Sequence, residues 1–230
     1  MGGGGGGGNG YSAAGGAGYV VTKTLDVRSG QKYRVVVGAG GTGAISLLSD
    51  TTLKNNTDGG ISSFGDESAL GGKTVKADWT TYATDGGAGS SGGGAGGENC
   101  CANGGSGGSD GQHCLGATYG PDKTYSCGKG GKGQGSYLEA LKLFASNTFT
   151  AGDGGLAGTG NHLNWNPGGG GGGVLMNGNG PAAGNGLAPS GHGKGGKGYG
   201  AGGGGGGFTS DKTCHGGGNG ANGLVYVEWG

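Results

Sequence analysis

The sequence predicts a mainly β and irregular fold, in which a small antiparallel β-framework carries a bundle of polyglycine-II helices and long loops. Three observations support this prediction. Glycine occupies 74 of the 230 positions, which leaves too few large side chains for an ordinary apolar core. Charged residues make up only 12% of the chain and the formal net charge is zero, which argues against a disordered, self-repelling chain. Strand-like segments stand near both ends of the sequence.

The β-framework is predicted from three segments with alternating side chains. Residues 19–27 alternate polar and apolar positions, and the turn signal "RSG" leads into a second strand at residues 32–38. Residues 223–229 alternate in the same way after an Asn-Gly turn signal. We expect these strands to meet in one sheet. The predicted organisation is a single domain, residues 1–230, with the framework in residues 18–38 and 222–230 and the bundle and loops in residues 39–221.

The glycine runs predict the bundle. They occupy residues 2–8, 168–173 and 202–207, without the triplet repeat and the proline content of collagen. Polyglycine-II helices have three residues per turn and leave their backbone groups free to bond to neighbouring helices. Because glycine has no side chain, such helices approach closely enough for N–H···O and Cα–H···O contacts on several sides. Hydrogen bonds between backbones then replace the apolar core.

Two further local patterns stand between the ends of the chain. Residues 136–146 predict the one short α-helix, since Ser136 and Glu139 form a capping-box pattern and apolar residues recur on one face. The sequence "GKGGKG" occurs at residues 128–133 and again at 193–198. Its three-residue lysine spacing places both lysines of each copy on one ridge of a threefold helix. A solvated ridge is the simpler interpretation, and a phosphate-binding ridge is the alternative.

Nucleotide, nucleic-acid and membrane functions are disfavoured. Gly38, Gly40 and Gly43 match the GxGxxG spacing, but no crossover helix and second strand follow, and such matches are frequent by chance in a glycine-rich chain. "ESALGGKT" lacks the first glycine of a P-loop. Zero net charge offers no general attraction to nucleic acid or to anionic membranes. No stretch reaches the roughly 20 apolar residues of a membrane-spanning helix.

The two ends of the chain resemble a known family. The opening "GGGGGGGNGYSAAGGAGYVVTKTLDVRSGQKYRVVVGAGGTG" and the ending "GGGGGGFTSDKTCHGGGNGANGLVYVEWG" are similar to the glycine-rich domain of phage tail-fibre and tail-tip proteins and of some bacterial surface proteins. The resemblance implies a small β-framework with packed polyglycine-II helices. It also implies variable loops at the end of the bundle that contact a receptor on the host surface. Residues between the two ends match in composition alone.

The sequence departs from the family pattern before its first glycine run. Members of the family usually have a strand of the type "VPxGVxxVxVxxxGAGGGGG" at this point, and here Met1 stands directly before Gly2. We expect the sheet to have an open edge. Upstream residues of a longer polypeptide or a strand from a neighbouring chain would cover it. The predicted state is therefore a homo-oligomer or an assembly with a neighbouring fibre subunit.

The five cysteines predict disulfides if the protein works outside a cell. Because the count is odd, one thiol stays free or pairs with another chain. No CxxC pair occurs, so a zinc site that combines some of these cysteines with His113 or His215 is the weaker alternative, and we expect no metal. The disulfide candidates are Cys100, Cys101, Cys114, Cys127 and Cys214.

Aromatic residues beside amide and carboxylate groups predict the binding surface, because glycans are bound by aromatic faces flanked by such groups. Two segments have this composition, at residues 76–85 and 160–169. A third segment, residues 113–127, is predicted to be a loop that is closed by its cysteines and displays two tyrosines. The alternative is that Trp79 and Trp165 fill the small core, where we also expect Trp229. The predicted receptor-binding residues are Trp79, Tyr82, Tyr119, Tyr125, His162, Asn164 and Trp165.

The function predicted from these observations is a structural and receptor-binding module of a phage tail fibre or tail tip. Its partner is a bacterial surface receptor, either a glycan or an outer-membrane protein, and its location is the virion or the extracellular space. We expect no enzyme activity and no cofactor, because no triad or paired-carboxylate spacing stands out. The alternative is an extracellular structural protein that forms a filament by strand addition. An ice-binding protein is a third class, although the regular Thr or Ala ridges that it needs are not visible.

Overall fold

The computed structural model describes a set of segments that together include most of each glycine run and the residues near both ends of the chain. These segments contain no helix, and so they contain no helix that could cross a membrane. The mainly β and irregular fold predicted from the sequence is confirmed for them. The described residues are 1–7, 14–45, 56–74, 83–84, 86–89, 96–97, 124–126, 149–151, 159–161, 170–176, 184, 192–206 and 215–229.

Short antiparallel strands form four small sheets within the described residues. One sheet has three strands in the order β1–β2–β3, and the other three are the pairs β4–β5, β6–β8 and β7–β9. Val35 and Val36 of β1 lie opposite Phe64 and Ser63 of β2. The strands are β1 (Val35–Val36), β2 (Ser62–Phe64), β3 (Glu67–Ala69), β4 (Ala83–Thr84), β5 (Gly96–Gly97), β6 (Thr124–Ser126), β7 (Phe149–Ala151), β8 (Thr159–Asn161) and β9 (Val174–Met176).

The pairing of the terminal strands predicted from the sequence is wrong. β1 lies within the predicted strand at 32–38, but it pairs with the hairpin β2–β3, and residues 19–27 and 223–229 are not strands. The reason lies in where their backbone groups are bonded. The N–H of Tyr19 donates to the carbonyl of Leu70 (2.8 Å), and the N–H of Leu224 donates to the carbonyl of Met1 (2.9 Å). Both chain ends are therefore tied to glycine-rich segments at the point where the predicted strands begin.

Residues 2–7, here called the central segment, are buried along their whole length. Their N–H groups donate to three different neighbouring segments in rotation, so that each neighbour recurs every third residue. Gly2 and Gly5 donate to one segment, through bonds of 3.0 Å and 2.9 Å to the carbonyls of Tyr19 and Gly16. The neighbours that accept are residues 16–19, 57–60 and 218–221, all antiparallel to the central segment, and those that donate to its carbonyls are residues 41–44, 72 and 203.

The six neighbours also bond to one another and close a ring around the central segment. Backbone hydrogen bonds of 2.7–3.0 Å make this ring, with at least one bond between each adjacent pair of segments. The buried apolar residues of the described segments are alanines alone: Ala14, Ala17, Ala44, Ala69 and Ala201. The core of this part of the protein is therefore backbone packed on backbone, which accounts for the glycine content. One such bond from each adjacent pair joins, in turn, Gly15 to Gly203, Tyr19 to Leu70, Gly59 to Gly72, Gly60 to Ala39, Gly218 to Gly204 and Gly220 to Gly41.

Candidate functional site

One end of the bundle, here called the loop end, gathers the residues that flank four connections. The Ala44 N–H donates to the Gly7 carbonyl (2.9 Å), the Gly217 N–H to the Ala44 carbonyl (2.9 Å), and the Gly87 N–H to the Ala14 carbonyl (2.9 Å). Both ends of each connection therefore lie at the same end of the bundle. The four connections are residues 8–13, 46–55, 75–85 and 207–214, and the third contains Trp79 and Tyr82.

The β6–β8 pair brings together two of the three segments predicted to bind. Tyr125 lies opposite Gly160, and Thr124 lies opposite Asn161, the residue directly before His162. Backbone pairing thus joins residues 113–127 to residues 160–169. The other predicted site residues lie outside the described residues; they are Trp79, Tyr82, Tyr119, His162, Asn164 and Trp165, together with the cysteines Cys100, Cys101, Cys114, Cys127 and Cys214. The predicted helix at 136–146 lies outside them as well.

The opposite end, here called the sheet end, carries the strands β1–β3 and exposed apolar side chains. β1 is an edge strand, and Val35 and Val37 at this edge are 51% and 52% exposed. The ring of Tyr33 stacks on that of Phe64 with a centroid distance of 4.9 Å. Trp229 is 82% exposed, so the prediction that it lies in the core is wrong. Other exposed apolar residues of the described segments are Tyr19, Val21, Val27, Ile61, Leu70 and Val227, whereas Ile45, which is also exposed, follows Ala44 at the loop end.

Two histidines meet at the loop end. The rings of His192 and His215 lie edge to face with a centroid distance of 5.1 Å, and the Gly216 N–H donates to Nδ1 of His192 (2.9 Å). The segments described contain no group of three or more potential metal ligands. The cysteines of the alternative zinc site lie outside the described segments.

The charged side chains of the described segments are exposed, apart from that of Glu67, which is half-buried. Lys194 and Lys197 both face solvent on residues 192–198, as expected for a solvated lysine ridge. Lys73 forms an ion pair of 2.8 Å with Asp58, and the hydrogen bond and charge of this carboxylate raise the pKa of Lys73. The second oxygen of Asp58 accepts from the Thr74 N–H (2.8 Å). The carboxylate therefore also satisfies a backbone group of a glycine-rich segment.

Sequence reasoning missed a set of side chains that accept hydrogen bonds from the outer glycine-rich segments. Asn222 and Asn219 accept from the N–H groups of Gly40 (2.9 Å) and Gly43 (2.7 Å). The Asn-Gly at 222–223 was interpreted as a turn signal before a strand, whereas Asn222 bonds across the bundle. The signal in the sequence is "GNGANG" at residues 218–223, because its three-residue asparagine spacing matches the three-residue repeat of the bundle.

Comparison with known proteins gives one match. A family model described as a glycine-rich domain matches residues 1–230. No curated protein and no solved structure matches the chain. The match spans the described residues and those between them.

Proposed function

The chain belongs to the glycine-rich domain family, and from this premise we propose that it is the structural and receptor-binding module of a phage tail fibre or tail tip. One observation carries the proposal: the residues that flank four connections lie together at the loop end, held by a rigid set of backbone hydrogen bonds. Loops positioned by a rigid scaffold are where proteins most often bind partners. The site of action is the virion surface or the extracellular space.

We propose that the packed glycine-rich segments are polyglycine-II helices. The three-residue rotation of hydrogen-bond partners along the central segment supports this, because that conformation has three residues per turn. Close approach supports it as well: a Cβ built on each of Gly2, Gly3 and Gly4 would lie 2.0–2.1 Å from a carbonyl oxygen of a neighbouring segment. The helices give the loops a base that carries almost no side chains.

The receptor is a glycan or an outer-membrane protein of a bacterium, bound by aromatic and amide side chains of the loops. Trp79 and Tyr82 belong to a connection whose two ends lie at the loop end. Tyr125 and His162 belong to the two segments that β6 and β8 join. Flat aromatic faces suit sugar rings, and the neighbouring amide of Asn164 suits sugar hydroxyl groups.

Binding of the labelled full chain to intact bacterial cells tests the proposal. We expect saturable binding to at least one strain of a Gram-negative panel, and loss of most of it in Trp79→Ala and Trp165→Ala. Lys197→Ala is the matched control, because it removes an exposed side chain far in sequence from these loops and should bind as the wild type does. Soluble surface polysaccharide competes if the receptor is a glycan, and protease treatment of the cells abolishes binding if it is a protein.

Two results would contradict this function. The first is the absence of saturable binding across the panel. The second is binding by the Trp79→Ala and Trp165→Ala variants that equals that of the wild type at an unchanged melting temperature. Either result removes the loops from receptor recognition, and neither alters the packing of the glycine-rich segments.

A filament built by strand addition is the second candidate function, and the open edge of β1 favours it. An edge strand with exposed Val35 and Val37 presents backbone groups and apolar side chains to a further strand. We expect wild-type chains to sediment as larger species as the concentration rises. A lysine at the edge, Val37→Lys, should reduce this association. A wild-type chain that sediments as a monomer at high concentration would exclude the filament.

A further inference from the structure

Residues 38–45 form an outer segment of the ring, and its N–H groups point in different directions in rotation. Gly41 and Ala44 point inward and donate to the carbonyls of Gly4 (2.7 Å) and Gly7 (2.9 Å) of the central segment. Gly40 and Gly43 stand one residue before them and repeat with the same spacing of three. Their N–H groups therefore form a second row, which points away from the central segment.

The second row is satisfied by side chains instead of backbone. Oδ1 of Asn222 accepts from Gly40 (2.9 Å), and Oδ1 of Asn219 accepts from Gly43 (2.7 Å). Both asparagines lie on the neighbouring antiparallel segment, whose N–H groups at Gly217 and Gly220 donate back to residues 38–45. Because the two segments run in opposite directions with the same three-residue repeat, two asparagines three residues apart match two glycines three residues apart.

The same substitution of side chain for backbone recurs between other pairs of outer segments. Oγ1 of Thr57 accepts from the Thr42 N–H (3.0 Å), and Oδ1 of Asp58 accepts from the Thr74 N–H (2.8 Å). In the interior, by contrast, the N–H groups of Gly2 to Gly7 all donate to backbone carbonyls. Side-chain oxygens thus appear where a further glycine-rich segment would otherwise supply a carbonyl.

We propose that Asn219 and Asn222 terminate the lattice of glycine-rich segments and so prevent a second copy of this chain from adding to it laterally. A backbone N–H without a partner is a strong donor that recruits an acceptor. A glycine-rich segment of a second copy fits the row at Gly40 and Gly43, since segments of this chain make the same contact throughout the ring. The asparagine amide mimics the missing peptide carbonyl and closes the row within one molecule.

Amide hydrogen exchange measured by NMR tests the local part of this proposal. Asn222→Ala should accelerate exchange at Gly40 and leave Gly43 protected, and Asn219→Ala should do the reverse. The expected acceleration is about tenfold, the factor that corresponds to one hydrogen bond of ordinary net strength. Asn222→Asp keeps an acceptor oxygen and should restore the protection of Gly40. Equal exchange at Gly40 in the wild type and in Asn222→Ala would overturn the proposal.

Light scattering on a concentration series tests the lateral part. The double variant Asn219→Ala/Asn222→Ala should form larger species than the wild type at equal concentration, and Gly40 and Gly43 should regain protection as it does so. Lys197→Ala is a demanding control, because it removes charge from an exposed position on a nearby outer segment and should nevertheless leave the size unchanged. A double variant with the size of the wild type at every concentration would overturn the proposal. If the double variant does not fold, the single variants carry the same comparison.

Discussion

The close packing of the central segment makes a specific prediction for the substitution Gly4→Ala. A Cβ built on Gly4 would lie 2.0 Å from the carbonyl oxygen of Ala201, 2.4 Å from its carbonyl carbon and 2.8 Å from the carbonyl oxygen of Gly200. All three atoms belong to backbone, which cannot rotate out of the way as a flexible side chain does. One methyl group therefore has to push two segments apart.

The size of the effect follows from the distances. Reaching an ordinary contact of about 3.5 Å requires the segments to separate by roughly 1.5 Å. The bond from the Gly203 N–H to the Gly5 carbonyl is 3.0 Å long, and that from the Ala221 N–H to the Ala201 carbonyl is 2.8 Å long. Such a movement breaks or strains both, and each buried group left without a partner costs about 1–3 kcal/mol. We expect a loss of roughly 3–5 kcal/mol in unfolding free energy.

Thermal unfolding followed by calorimetry measures this loss. For a chain of this size the expected decrease in melting temperature is roughly 6–20 °C. Gly195→Ala is the matched control, since its Cβ would come no closer than 3.4 Å to the Asn219 carbonyl oxygen, an ordinary contact. That variant should melt within about 2 °C of the wild type. If Gly4→Ala had the same melting temperature as Gly195→Ala, the close packing of the central segment would be refuted.

Three further outcomes are expected. Ser62→Ala should lower the unfolding free energy measured in urea by about 2 kcal/mol, because Ser62 is 2% exposed and its hydroxyl accepts from the Gly38 N–H (2.9 Å). Ser63 is half-buried, so Ser63→Ala should cost clearly less, and equal costs would contradict this. Asp58 raises the pKa of Lys73 above its ordinary value of 10.5, so the stabilisation from this pair is present below that pH and is lost as the pH rises through the raised pKa. The Asp58→Asn variant lacks the pair, and its unfolding free energy should therefore fall less than that of the wild type over the same rise in pH. Alkylation of the unfolded, unreduced protein should modify one cysteine, because four of the five cysteines can pair in two disulfides and the fifth stays free. Five modified cysteines would exclude disulfides.

Part of the fold could be predicted from local sequence alone. Glycine runs cannot fill a core with side chains, so burial of backbone against backbone was expected, and the described residues of all three runs are buried: 2–7, 170–173 and 202–206. The strand predicted at 32–38 is confirmed for its central residues, Val35–Val36, which form β1. The partner of this strand was predicted wrongly, because alternation of polar and apolar residues identifies a strand without identifying its neighbour. The residues predicted to bind a receptor stay predictions, apart from the backbone pairing that places Tyr125 opposite Gly160.

Composition and spacing by themselves determined which residues can lie inside this protein. A segment surrounded on six sides has room for glycine and, at a few positions, alanine, so larger residues on such segments stand on the outside. The spacing of three also determined that the lysines of residues 192–198 share one exposed ridge. These properties follow from the three-residue spacing and from the size of a methyl group, and neither depends on which segments are neighbours.

The tertiary structure alone decided which segment lies beside which, in what direction and at what register. One glycine is identical to the next, so a run of them offers the same N–H and carbonyl groups to every possible neighbour at every register. Positions with side chains remove this ambiguity, and they do so only once the chain is folded. Asn222 acquires its role because it lies opposite Gly40, 182 residues away in the sequence, a distance across which no local pattern can act.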